Sequence, residues 1–285
     1  MRYSQSIAVL GTGIIGAAVA RNLAVKGFKV RAWNRTSEKA QALAVDDVEP
    51  VAEVVDAVTE ADMVITVLKD GPAVDEAMKA ALPALRREVI WLQLGTVGIE
   101  TVDALATFAR KNGIIFFDAP VQGTRQPAEQ GKLVILASGP NKGRDVVQSV
   151  FDAIGQRTVW VANEPGASSR LKLALNSFVF ALTNGTAEAL LIAKTLGVDP
   201  ALVLETISGG PLDSGYFQTK GTAMLKGDFK TSFSVDNGVK DARLVVDAIA
   251  ATGVCADVAK AGLARFERTA DAGYGGKDIA ATFLA

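Results

Sequence analysis

The sequence predicts an α/β protein, with a doubly wound parallel sheet in its first half and an all-α second half joined to it by a long helix. Three features predict this. Short apolar runs alternate with amphipathic stretches as far as residue 161. A glycine-rich turn follows the first apolar run. Beyond Pro165 and Gly166 the strand pattern stops and helical periodicity takes over.

Taken in order, residues 7–10 read as a strand and 16–25 as a helix, followed by a strand at 29–33 and a helix at 37–44, where Ser37 is placed to cap. The alternation continues with a strand at 63–68, a helix at 73–85, a strand at 89–94, a helix at 100–111 and a strand at 114–118. Residues 133–138 and 158–161 add two further strands. Repeated β–α–β units with short connections imply a parallel sheet covered on both faces. From 168 to 196 apolar residues recur at helical spacing, a helix of about 43 Å at 1.5 Å per residue. Shorter helices are expected at 200–207, 216–225, 235–252 and 256–271. The domain boundary is therefore drawn after Pro165, giving domains 1–165 and 166–285. No internal repeat or low-complexity tract interrupts this plan.

Composition narrows the function classes. At 285 residues, 49% hydrophobic and 21% charged, the chain can bury a substantial core. A net charge of −1 leaves no basic excess to match a phosphate backbone, so no nucleic-acid partner is expected. The single cysteine, Cys255, cannot form an internal disulfide and suits a reducing, cytoplasmic setting. Between Val254 and Ala256 it is expected as a buried structural thiol. Residues 1–6 are polar and lead straight into a strand, so no signal peptide is expected. The most apolar stretch, 171–196, is broken by Lys172, Asn176, Asn184, Glu188 and Lys194. It reads as a buried helix of a soluble protein, with no membrane role. The chain has no histidine, which excludes histidine triads, histidine-ligated zinc and a histidine general acid. Any proton donor must be lysine, tyrosine, aspartate, glutamate, cysteine or water.

The first turn carries Gly11-Thr12-Gly13-Ile14-Ile15-Gly16, a G-x-G-x-x-G placed between a strand and a helix. Gly11 permits the tight turn, Gly13 lets the backbone approach a pyrophosphate, and Gly16 lets helix and strand pack closely. The helix start offers unpaired N–H groups and the positive end of its dipole. The next strand ends in Trp33-Asn34-Arg35-Thr36, with no carboxylate to pair with a ribose 2′-hydroxyl or repel a 2′-phosphate. Asn34 and Thr36 can donate hydrogen bonds and Arg35 can pair with a phosphate, so NADP(H) is expected over NAD(H).

Four ordered blocks resemble the β-hydroxyacid dehydrogenase family, which includes 3-hydroxyisobutyrate dehydrogenase, tartronate semialdehyde reductase and the glyoxylate/succinic semialdehyde reductases. They are the Gly11–Gly16 loop; Asp118-Ala119-Pro120-Val121-Gln122-Gly123-Thr124 with Pro127, Ala128, Glu129 and Gly131; Gly166-Ala167-Ser168 through Lys172 to Asn176; and Lys240-Asp241 with Phe233 upstream. The resemblance implies a Rossmann-type domain and a helical domain similar to that of 6-phosphogluconate dehydrogenase. It implies that Gln122, Gly123 and Thr124 bind the substrate carboxylate and that Lys172 and Asn176 are catalytic. It also places Leu68, Thr96, Phe233 and Lys240 beside the cofactor. Two departures stand out: Gln122 replaces the family's serine, and Ser168 its second glycine, where a serine would serve as a cap.

The residues themselves carry a matching chemistry. Lys172 and Asn176 are four apart and share a helix face. Carbonyl reduction needs hydride on carbon and a proton on oxygen; a lysine ammonium can polarise the carbonyl, donate that proton and take it back in the reverse direction. Asn176 can hold the lysine or the substrate hydroxyl. Gly123 and Thr124 offer N–H groups in a turn, suited to an anion; Arg125 just beyond can partner a carboxylate but reads first as a solvated loop charge. The expected activity is an NADPH-dependent interconversion of a small aldehyde or oxo acid and its hydroxyacid, by a homodimer or homotetramer. Two alternatives stand beside it: an imine reductase-like enzyme, whose members generally lack a lysine at this position, and a non-catalytic nucleotide-sensing module.

Overall fold

The computed structural model describes residues 5–250 and 252–285. Two compact units divide at Lys172/Leu173. The change of sequence character at 165 and this division differ because the first turns of the long helix pack within the first unit.

The first unit is built on one sheet of strands β1 (Ser6–Leu10), β2 (Lys29–Trp33), β3 (Val48–Pro50), β4 (Met63–Thr66), β5 (Ile90–Gln93), β6 (Ile115–Asp118), β7 (Val121–Gln122), β8 (Leu133–Ser138) and β9 (Gly155–Ala162). Strands β3-β2-β1-β4-β5-β6 are parallel neighbours in that order. Strand β8 then runs antiparallel to both β6 and β7, and β9 pairs with it in parallel. Successive residues of a strand point to opposite faces, and here both faces are buried. Ile7, Val9, Met63 and Ile65 pack into the cluster that holds Leu23, Val150 and Phe151, from helices α1 (Ile14–Val25) and α7 (Arg144–Ile154). Ala8, Leu10 and Val64 pack into the opposite cluster, with α3 (Val54–Val58), α4 (Gly71–Ala81) and α5 (Ile99–Lys111).

Several expected bounds move for identifiable reasons. Helix α4 starts at Gly71 because the Asp70 carboxylate accepts the Ala73 N–H at 3.0 Å and caps it. Helix α2 (Ser37–Gln41) is shorter than expected, and Ser37 is its first residue while Thr36 holds the cap position. Helix α7 was not anticipated, although Val147, Val150, Phe151 and Ile154 carry the spacing of one apolar face. Strands β3 and β7, helix α3 and helix α6 (Arg125–Glu129) are five residues or fewer, too short to show a period.

The second unit comprises the long helix α8 (Ala167–Thr195) from Leu173 onward, α9 (Ala201–Ile207), α10 (Gly215–Lys226), α11 (Val235–Ala250) and α12 (Asp257–Thr269). Its apolar clusters are small: Leu190, Leu204, Phe217 and Met224 in one, Phe180, Ala242, Phe266 and Ile279 in another. Between them lies a buried ion pair, Lys220 to Asp278 at 2.6 Å. Asp278 also accepts the Ser232 hydroxyl at 2.7 Å and the N–H groups of Ser232 and Ala280.

Two expectations are corrected here. Helix α8 is not buried along its length: it buries Phe180, Ala187 and Leu190 but leaves Phe178 69% and Ile192 52% exposed. Among the described residues it is the one helix long and apolar enough, by length and composition, to cross a membrane. Cys255 is exposed, because it lies in the connection between α11 and α12, where its apolar neighbour Val254 covers nothing. Tyr216, expected as the first residue of a helix, is the second residue of α10.

Candidate active site

In a parallel sheet every strand delivers its carboxyl end to the same edge, and loops at that edge meet. The first unit uses this fully. Gly11 follows β1 with φ +102°, and a Cβ there would overlap the Val67 carbonyl oxygen and crowd Leu68. A Cβ on Gly16 would overlap the Gly11 carbonyl, so helix and strand touch only because that residue has no side chain. Gly13 is the opposite case: nothing stands where its Cβ would be. The loop is tied to the end of β2, where Asn34 Oδ1 accepts the Thr12 N–H at 3.0 Å and Asn34 Nδ2 donates to the Thr36 carbonyl at 3.0 Å. Asn34 is thus a brace for the glycine loop, a role its expected contact with a 2′-phosphate did not anticipate.

Arg35 and Thr36 are exposed beside this brace. A cavity of about 320 Å³ adjoins the loop, lined by Thr12, Gly13, Ile14, Arg21, Lys39 and Arg125. Lys39 escaped the sequence reading. Its signal was there, a further cation in the short helix that begins two residues past Arg35. Ile15 is half-buried and packs against the core beneath the loop. The Thr12 hydroxyl is buried with no partner among the described residues, and Gly13 faces open space. An orphaned donor and a backbone cradle at a helix start fit a dinucleotide pyrophosphate.

Leu68 lies past the end of β4, beside Gly11. Thr96 lies past β5, in a turn held from below: the Trp91 indole donates to Thr66 Oγ1 at 2.9 Å, Thr66 donates to Gln93 Oε1 at 2.8 Å, and Gln93 holds both N–H and carbonyl of Gly95. This buried chain fixes Thr96 at the edge.

Next along the edge comes the segment from Asp118 to Thr124. Gln122 is in β7, Gly123 is exposed with φ +131°, and Thr124 precedes α6. Arg125 is not in a loop: it opens α6, and its partly exposed side chain lies 3.8 Å from that of Glu129 one turn on. Gln122 Oε1 accepts from Lys172 Nζ at 2.8 Å. Lys172 is buried, at 9% exposure, so its ammonium is held on a neutral acceptor in a desolvated place.

The start of α8 is capped in an unexpected way. Ser168 is not the cap; it is the second residue of the helix, and its buried hydroxyl has no partner among the described residues. The cap comes from Asp118 at the end of β6. Its Oδ2 accepts the N–H groups of Gly166 at 3.2 Å and Ser169 at 2.8 Å, and its Oδ1 accepts the Ser169 hydroxyl at 2.8 Å. Burial pushes the Asp118 carboxyl up to about 6, against the opposing pull of these three donors and Arg170.

The remaining candidates belong to the second unit. Asn176 Nδ2 donates to Asp241 Oδ2 at 3.1 Å, and Asp241 Oδ1 lies 2.5 Å from Lys240 Nζ. Phe233 packs near Phe180, ring centroids 6.3 Å apart, and its N–H reaches Asp278 at 3.3 Å. Tyr216 shares a 2.7 Å hydrogen bond with Thr183, and burial pushes its phenol up to about 12, so it stays protonated at neutral pH and is a weaker acid than a free tyrosine. Tyr3 lies outside the described residues.

A glycine-loop sheet followed by a helical unit defines the class of two-part nicotinamide dinucleotide-binding proteins. Residues 6–162 match the NAD-binding domain of 6-phosphogluconate dehydrogenase, and 166–284 match the NAD-binding domain of NADP-dependent 3-hydroxyisobutyrate dehydrogenase. The chain belongs to the β-hydroxyacid dehydrogenase family. It is 27% identical over 284 residues to glyoxylate/succinic semialdehyde reductase 1 of Arabidopsis thaliana, covering 99% of this chain and 98% of that protein. The structure of Mycobacterium tuberculosis 3-hydroxyisobutyrate dehydrogenase with L-serine superposes with TM-score 0.88 at 26% identity, over 100% of this chain and 99% of that one. An imine reductase from Myxococcus stipitatus with NADP⁺ is more distant, at TM-score 0.68 and 22% identity over 99% of this chain and 100% of that one, a likeness of fold alone.

Proposed function

We propose that the protein is an NADPH-preferring reductase of small aldehydes or oxo acids, semialdehydes and glyoxylate among them, running in reverse as a hydroxyacid dehydrogenase. One observation carries the reading most: a buried lysine, Lys172, held at 2.8 Å by Gln122 of the segment that follows β6, at the sheet edge where ligands of such folds bind. When bound, the dinucleotide supplies the hydride. Lys172 gives its proton to the carbonyl oxygen as that oxygen gains charge, and receives it back in the oxidative direction. Gln122 fixes the ammonium, and the N–H groups at Gly123 and Thr124 take the substrate's carboxylate. Asn176, oriented by Asp241, holds the hydroxyl or the lysine. Gly11, Gly13 and Thr12 take the pyrophosphate; Arg35, with Lys39 nearby, favours a 2′-phosphate. Thr96 and Leu68 complete the cofactor candidates of the first unit, and Phe233 and Lys240 are those of the second. The apolar side chains that α8 leaves exposed, Phe178 and Ile192, support a homo-oligomer, which light scattering on the purified protein tests.

Loss of NADPH fluorescence on a panel of semialdehydes, glyoxylate and a cyclic imine tests the class. Lys172→Ala tests the mechanism: the protein stays folded and binds NADPH, while kcat falls by roughly 10²–10⁴. Lys172→Arg fails nearly as badly, because a guanidinium does not return the proton. A Lys172→Ala variant within threefold of wild-type kcat removes this mechanism, and turnover of the imine alone replaces the substrate class.

A further inference from the structure

The segment from Asp118 to Gln122 meets α8 at two points. Asp118 binds the helix start at Gly166 and Ser169, and Gln122 binds Lys172 one turn further on. We propose that Asp118 is a positioning residue for Lys172, clamping the first turn of α8 so that the ammonium is delivered to Gln122; this rests on the reading of Lys172 as the acid–base group.

The need for such a clamp follows from the local sequence. A helix start leaves N–H groups without intrahelical partners, and the preceding residue usually caps them with its side chain. Here that residue is Gly166, which has none. The acceptor therefore comes from a strand 48 residues earlier. The Ser168 N–H is likewise taken from outside, by Ser138 Oγ at 3.2 Å, on the strand that pairs with β6 at Asp118. The height and rotation of α8 are thus set by the sheet and not by the helix itself. Ser169 and Lys172 are three residues apart and lie on the same side of the helix, so a shift of the clamp is passed to the lysine. Asp118 is fully buried, and both its oxygens are occupied by the helix start. It has no reach to a substrate and is not itself a catalytic residue. Arg170 acts on it as a cation and is itself paired with Asp103 on α5 at 3.1 Å; its cross-strand neighbours Gln93 and Ser138 are neutral.

Two substitutions separate geometry from charge. Asn in place of Asp118 can turn its carbonyl to the two N–H groups and its amide to the Ser169 hydroxyl, so Asp118→Asn keeps kcat within threefold. Asp118→Ala releases the turn. Because a misplacement of about 1 Å can cost on the order of 10²-fold, kcat per folded site should fall at least about 30-fold, with NADPH affinity within about twofold. Hydrogen–deuterium exchange over residues 166–169 should quicken about tenfold or more in Asp118→Ala, with α1 unchanged. A folded Asp118→Ala with kcat within threefold and unchanged exchange overturns the proposal. If Asp118→Ala does not fold, Asp118→Asn decides alone: wild-type exchange and activity uphold the clamp, and a loss beyond tenfold overturns it. Lys172→Ala is assayed alongside. Should it keep turnover, the reading of the lysine fails while the exchange data still decide the clamp.

Discussion

The two units solve the problem of an interior differently. In the first, the sheet buries alternating faces under helices, and its two large clusters are almost wholly apolar, with Asp118 and Lys172 the charged residues buried there. In the second, shorter helices give small clusters, and Lys220, Asp241, Arg265 and Asp278 are all buried. A sheet offers one continuous apolar surface; a set of short helices leaves gaps, and polar groups fill them in pairs. The candidate catalytic residues follow the same division. Lys172 rests on a neutral amide from its own unit, and Asn176 on a carboxylate from its own. The first unit places chemistry on a rigid apolar frame, whereas the second depends on charges that must stay paired.

The sharpest test of this contrast is Lys220→Met. It leaves the Asp278 carboxylate buried without its cation, which should cost about 3–5 kcal/mol. Chemical denaturation should show the loss in the second unit, with exchange in β1 and β4 unchanged. A loss under about 1 kcal/mol would mean that the other donors to Asp278 suffice.

Two of the buried carboxyls, Asp118 and Asp278, should answer acid in opposite directions. Asp118 has its folded value raised to about 6, chiefly by burial. Its favourable contribution is full below the unfolded value near 3.9 and is lost as pH rises through about 6. Between pH 7 and 4 wild type should therefore gain roughly 2 kcal/mol on Asp118→Asn in urea titrations. Asp278 is lowered: burial pushes it up, but Lys220 and Ser232 outweigh burial. Its contribution is present above the usual carboxylate value and is lost as pH falls through the lower folded one. Parallel slopes for wild type and Asp118→Asn would break the comparison.

At the cofactor edge, Arg35→Ala should reduce the NADPH to NADH ratio of kcat/KM by roughly tenfold, about 1.4 kcal/mol. Asn34→Asp should act in the same direction by placing like charge near a 2′-phosphate. A wild-type enzyme that prefers NADH tenfold would reverse the assignment. The smallest effect is expected for Gln122→Ser. It should raise glyoxylate or 3-hydroxyisobutyrate activity severalfold by shortening the side chain at Lys172, at a cost within about 1 kcal/mol in stability. An unchanged substrate profile would leave Gln122 as a brace only.

Much of the first unit was legible because its signals are local. The glycine loop needs Gly11 and Gly16 for steric reasons that act within a few residues, and the strands β1, β2 and β4 announce themselves by apolar runs. The register of Lys172 and Asn176 follows from helix geometry alone. Helix α7 carries a local signal of the same kind, with Val147, Val150, Phe151 and Ile154 on one face. Cys255 misled because apolar neighbours in sequence do not make a buried place.

The sequence by itself determined the sheet, the dinucleotide loop, the family and the pairing of a lysine with an asparagine on one helix, because each depends on spacing along a few residues. Only the tertiary structure decided what holds them. Asn34 bracing Thr12, Gln93 bracing Gly95, Gln122 on Lys172, Asp241 on Asn176 and Asp118 on the start of α8 unite residues from 2 to 65 positions apart. A hydrogen bond is specific in direction and distance, and except where it closes a turn those are fixed only once the chain has packed.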